Sequence, residues 1–243
     1  MIAWVAIDIV LWGFISRYLN SVTGGGSGIN FVSTLLGAVL FWDLFTRVMQ
    51  GVTMAFFEDV WSRNLVNVFA SPLLISEYLT GLIVTAIATS LVGLLVMLIL
   101  ATWLFGLPIL SLGLLLIPFL LVLFSFGIAF GVLACAMVLR FGPASEWLVW
   151  PIPAMLAPFA GVFYPLSTLP GWMRAVGRAL PPSYVFENMR SILAGQGYSG
   201  GGLVAGIALA ALDVILAGCL FALVYRYAVR SGLLARYSAE SAS

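Results

Sequence analysis

Asp8, Asp43, Arg47 and Asp213 all fall inside long apolar runs. Ionisable groups in such runs are rare, turn toward a bundle interior or a wet cavity, and mark substrate or proton routes. Asp43 and Arg47 stand at i and i+4, so they share a helical face and can pair. The pair either neutralises itself and ties its helix to a neighbour, or it lines a path. Asp213 has no charged partner on its own run. It is the stronger candidate for function, or it reaches across helices to Arg47. Together with Asp8, these acids offer a proton route. Other chemistry is closed to the chain. It has no histidine, and all ten basic residues are arginine. That removes Ser-His and Cys-His dyads, HExxH zinc sites and a lysine-bearing phosphate loop. An aspartyl dyad of Asp8 with Asp213 has no supporting motif. Cys135 and Cys219 sit in apolar runs and read as small buried hydrophobes rather than a disulfide.

The elements that must hold these groups follow from composition. The chain is 63% hydrophobic and 8% charged, whereas a soluble domain is about 45–50% apolar and about 25% charged. It is read as a polytopic membrane protein. A net charge of +1 gives no field suited to nucleic acid. A bilayer core needs about 20 apolar residues per helix, which predicts six spans at about 1–19, 31–55, 78–105, 109–139, 146–164 and 203–226. Open sheets do not span lipid and the runs are too long for barrel strands, so the fold class is all-α. The first run lacks a basic leader and a cleavage site, and is read as a retained span. Six spans put both termini on one side. The arginines at 226, 230 and 236 favour the cytoplasm for that side. Trp4, Trp12, Trp147, Trp150 and Trp172 suit an aromatic belt, and Trp42, deeper, suits packing.

Two connections are long and punctuated, residues 56–77 and 165–202. In the first, Trp61, Leu65, Val68 and Phe69 recur on one helical face, with Arg63 on another. Glu58 and Asp59 suit the start of that helix, and Ser71-Pro72 ends it. It is either an interfacial helix or a docking helix for a soluble partner. In the second, Ser167 or Thr168 can cap a helix entered at Pro170. Trp172, Val176 and Leu180 form one face, and Arg174 and Arg178 the other. Pro181-Pro182 break it. Ser183 can cap a further helix over about 184–194, which Gly195 ends. Between these connections, Gly127 and Gly131 in "GIAFGVLACA" form a Gly-x-x-x-Gly step. It suits close helix contacts, between subunits or within one.

Three features resemble the membrane subunit of ABC-2 type exporters, the bacterial permeases for drugs, polysaccharides and nodulation factors. One is "NLVNVFASPLLISEYLTG" (Asn64–Gly81). Another is the late run carrying Pro165-Leu166, Leu169-Pro170, Trp172, Pro181, Tyr184 and Arg190. The third is the six-span layout. Pro182 stands where the family usually has an aliphatic residue. The cytoplasmic amphipathic helix that usually opens family members is not found here. Either a segment precedes residue 1 or the first span is positioned without it.

The resemblance implies a permease subunit without enzymatic activity of its own. It would dimerise with a second copy in the inner (plasma) membrane, with both termini cytoplasmic, and work with two ABC ATPase subunits that bind ATP and Mg. It implies no cofactor on this chain. It makes residues 60–70 a cytoplasmic coupling helix in which Trp61, Leu65 and Phe69 plug the ATPase and Glu58, Asp59 and Arg63 form rim charge pairs. It makes the stretch after span five a re-entrant helical hairpin and outer gate, built on Pro165, Pro170, Trp172, Arg174, Arg178, Pro181, Tyr184, Glu187 and Arg190. Arg174 and Arg178 would stay at the headgroups, and Glu187 would pair with Arg190. The alternative is a proton-coupled secondary transporter using the buried acids. Such carriers often show internal repeats, and none is evident between residues 1–105 and 109–226.

Overall fold

The computed structural model describes residues 2–22, 32–62, 64, 67, 71–107 and 109–231. Among the described residues, eight α-helices run in order: α1 (Ile2–Val22), α2 (Gly37–Trp61), α3 (Ile75–Phe105), α4 (Leu116–Phe141), α5 (Ile152–Ala160), α6 (Gly171–Ala179), α7 (Pro181–Leu193) and α8 (Gly200–Ser231). There is no strand among the described residues, as the all-α reading requires. Ser33–Trp61, Ile75–Phe105, Leu112–Phe141 and Gly200–Ser231 are long and apolar enough to cross a membrane.

Several boundaries moved for local reasons. A π-helical turn (Val32–Leu36) precedes α2. A 3-10 segment (Ile109–Leu115), broken at Gly113 with φ 53°, precedes α4. Helix α3 stops at Gly106, whose φ of 65° is left-handed and favours glycine. The fifth run, expected as one helix over 146–164, folds in pieces: a 3-10 turn (Pro143–Leu148), then the nine-residue α5. Pro151 and Pro153 flank the start of α5, and each lacks the N–H that a continuous helix would need.

Helix α2 is the centre. Phe41, Leu44, Phe45, Val48, Met49, Val52, Phe56 and Phe57 are all buried. Two glycine contacts let it sit deep. A Cβ on Gly127 of α4 would lie 2.7 Å from Val48 Cβ and 3.1 Å from the Phe45 carbonyl oxygen. One on Gly131 would lie 2.7 Å from Val52 Cβ and 3.0 Å from the Met49 oxygen. The Gly-x-x-x-Gly step therefore serves a contact within one chain, with α2 and α4 parallel. On the other side, a Cβ on Gly51 would meet Ala86 of α3 at 3.1 Å, which brings α2 and α3 together antiparallel. Helix α8 packs on α4 and α7 through Leu203, Gly206, Ala210, Ala217, Phe221 and Ala228. Val204, Ile215 and Leu223 of the same helix face outward, while Val214, Val224 and Tyr225 are partly buried against the core. The cysteines are free; Cys135 is buried as expected, but Cys219 is exposed.

Overpacking a tight core costs about 1–3 kcal/mol. Gly131→Leu is accordingly expected to lower the unfolding temperature of the detergent-solubilised chain. Gly218→Leu should leave it unchanged, because a Cβ at that position would have no neighbouring atom within 4 Å.

Candidate functional site

Helices α2, α4 and α8 run from one end of the bundle to the other, and α1 and α3 run back. One end gathers the proline-rich hairpin; the other gathers residues 56–62, the start of α3 and the turn after α4.

At the second end, Glu58 and Asp59 lie in the last turns of α2, which continues to Trp61; most of the segment they were read as preceding lies outside the described residues. Tyr78 of α3 donates its hydroxyl to the Asp59 carboxylate at 2.8 Å, and Asn64 Nδ2 approaches the same group at 3.4 Å. Glu58 is exposed. Trp61 is 52% exposed, rests on Phe57, and donates its indole N–H to Glu146 Oε2 at 3.1 Å. Glu146 belongs to the 3-10 turn that follows α4, where Gly142 with φ 94° ends the helix. Arg63, Leu65, Val68 and Phe69 lie outside the described residues. Arg140 of α4 stacks over the Tyr227 ring of α8 at 4.0 Å.

Within the bundle, Arg47 pairs with Asp43 through Nε and more loosely through a second nitrogen at 3.4 Å. Gly93 of α3 makes room: a Cβ there would touch the Arg47 side chain at 3.4 Å. Asp8 of α1 lies in electrostatic reach of the same guanidinium. Three of the four intramembrane charges are thus brought together with one another. Asp213 is not among them. The cross-helix Asp213–Arg47 pair is absent, and Asp213 has no hydrogen bond or ion pair among the described residues. Trp42 packs on Phe45 and Phe186.

The hairpin end is held by polar groups. Pro165 opens a 3-10 turn (Leu166–Thr168) and Pro170 precedes α6. Neither Ser167 nor Thr168 caps α6. The Arg174 guanidinium donates instead to the carbonyls of Leu166 (3.2 Å), Ser167 (2.8 Å) and Leu169 (3.0 Å). It thereby ties the start of α6 to the turn before it, adding a donor to the Leu166 carbonyl, which also accepts the Leu169 N–H at 3.1 Å. Arg178 is exposed. Pro181 and Pro182 occupy the first positions of α7 rather than a break before it, where a missing N–H costs little. Ser183 consequently lies inside the helix and bonds back to the Leu180 carbonyl. Tyr184 donates to the Arg178 carbonyl at 2.8 Å. Glu187 pairs with Arg190 at 2.8 Å and also accepts the Leu166 N–H at 2.9 Å, while Arg190 donates to Val162 O at 3.2 Å.

The two hairpin helices differ in kind. Helix α7 is buried through Val185, Phe186, Asn188 and Met189. Helix α6 packs through Gly177, where a Cβ would lie 2.6 Å from the Phe159 oxygen of α5, and it turns Trp172 and Val176 outward. Of the apolar face read from the sequence, Trp172 and Val176 are exposed and Leu180 packs against the core. Asn188, which accepts the Ser199 N–H at 2.6 Å and holds the approach to α8, was not singled out by the sequence; neither were Tyr78 and Glu146. An acid in a short proline-containing connection was the available signal for Glu146.

A hydrogen bond contributes about 1 kcal/mol net. Removing three donors with Arg174→Met is expected to raise amide hydrogen exchange over residues 166–179 by about tenfold or more, with α2 unaffected. Arg178→Met should change neither.

No curated protein sequence matches the chain significantly. The family model described as ABC-2 type transporter matches residues 1–194, a stretch that takes in α1 through α7. The chain belongs to the ABC-2 type transporter family.

Proposed function

We propose that the chain is the membrane permease of an ATP-driven exporter, working as two copies with two ABC ATPase subunits. A transport subunit that is not itself catalytic follows from the family; the ATPase partnership, the copy number, the direction and the inner-membrane setting are this reading's own. ATP and Mg would bind on the ATPase, since the chain has no lysine for a phosphate loop.

The observation that carries the reading is the tip of α2. Trp61 and Glu58 are exposed there, and the segment that follows returns to α3 beyond Ser71-Pro72. An exposed aromatic ringed by acids suits an anchor with a polar rim. In this reading the coupling element of residues 60–70 starts at the α2 tip with Trp61, and Leu65 and Phe69 would serve as further apolar anchors with Arg63 at the rim. This end faces the cytoplasm together with both termini, and the α6–α7 hairpin faces outward as a re-entrant gate. The six membrane-crossing segments are α1, α2, α3, α4, the broken stretch 143–160 and α8. Collinear, that broken stretch reaches about 25–30 Å, close to the hydrocarbon thickness of about 30 Å. The proton-coupled alternative gains nothing from the family match.

Truncating an aromatic anchor costs about 2 kcal/mol or more, roughly 30-fold in affinity. Trp61→Ala with Leu65→Ala is expected to lose the co-purifying ATPase and transport while the chain still inserts. Survival of both activities would refute the coupling assignment.

A further inference from the structure

We infer that Glu146 is a positioning residue that carries the ATPase-driven movement of the α2 tip across to the hairpin. This rests on the reading above that residues 56–77 meet an ATPase. The tip is held on two sides. Asp59 is tied to α3 by Tyr78, and Trp61 is tied to the turn after α4 by Glu146. The second tie leads away from the core. Glu146 sits in a compact turn: Ser145 N–H and Oγ both bond to the Gly142 carbonyl, and Val149 N–H bonds to that of Glu146. Three residues later α5 begins.

Helix α5 is the lever. It is a separate piece, bounded by Pro151 at one end and by Gly161, with φ 63°, at the other. At its far end it is fastened to the gate. Gly177 of α6 lies against the Phe159 carbonyl, Trp172 meets the Phe159 ring edge-on at 6.1 Å, and Tyr164 donates to the Pro158 carbonyl at 2.8 Å. Beyond it, Arg190, Glu187 and Arg174 clamp residues 162–169 to α6 and α7. A shift of Trp61 pulls Glu146, and the turn, α5 and α6 follow as linked rigid pieces. A helix continuous with α4 would instead be held by the Gly127 and Gly131 contacts. The break at Gly142 frees the lever from them. Coupling of this kind requires an element with two positions that both sites bias, and α5 is that element.

The test uses the complex of the full chain with its ATPase in liposomes, nucleotide-free and trapped with Mg-ATP and vanadate. Amide hydrogen exchange is read over residues 161–180. The wild-type complex is expected to change exchange there by about tenfold on trapping. That is the scale of one hydrogen bond to a charged group. Glu146→Ala should reduce the change to less than about twofold while retaining the ATPase, and Glu146→Gln, which keeps an acceptor, should restore it. In a Trp61→Phe background, which lacks the indole donor, Glu146→Ala should add nothing. A Glu146→Ala hairpin that responds like wild type, effects that multiply with those of Trp61→Phe, or a wild-type hairpin indifferent to nucleotide would each overturn the relay alone. A wild-type chain that retains no ATPase would overturn the function reading, and the relay with it.

Discussion

The rest of the structure depends on how closely α4 can approach α2. In lipid, helices gain nothing from leaving the solvent, so they associate by van der Waals contact and polar ties. Gly127 and Gly131 place the backbone of α4 against Val48 and Val52, with the Phe45 and Met49 carbonyls beside them. Gly51 against Ala86 does the same for α3. Helix α2 is thereby enclosed, and its buried phenylalanines fill the layers between these contacts. Once α2 is fixed, its two ends are fixed too: Gly37 lies beneath Met189 of the hairpin, and Trp61 emerges at the opposite tip.

The polar groups are then distributed by what each end must do. Inside the bundle, charge is neutralised at close range: Arg47 satisfies Asp43 in the space that Gly93 leaves, with Asp8 nearby. At the hairpin end the arginines serve the backbone. Arg174 and Arg190 donate to carbonyls in the turns between the short helices. Arg17 does the same where α3 ends, donating to the Leu104 carbonyl at 3.1 Å, a position the helix dipole also favours. At the α2 tip the acids accept from aromatic donors, Tyr78 and Trp61. That arrangement leaves the segment anchored at its base while its aromatic and acidic groups remain accessible.

The sequence by itself determined the class, the helical content and the location of the two punctuated connections, because each depends on local composition. Apolar runs of bilayer length admit only helices among these choices, and Pro165, Pro170, Pro181, Pro182 and Gly195 fall at helix boundaries. The Asp43–Arg47 and Glu187–Arg190 pairs were legible for the same reason, since i, i+4 and i, i+3 spacing brings such groups together on any helix. Tertiary structure alone decided the remainder. Whether Gly127 and Gly131 served a neighbour chain or α2 depended on what faced them. Helix α6 was read with Trp172, Val176 and Leu180 on one face and Arg174 and Arg178 on the other, yet it packs through Gly177, because a backbone carbonyl of α5 approaches where only a hydrogen fits. Arg174 donates to carbonyls five to eight residues before it, and Trp61 found Glu146 across 85 residues of chain. Periodicity reports which residues share a face; which partner that face meets is settled by contacts distant in sequence, and no local pattern encodes them.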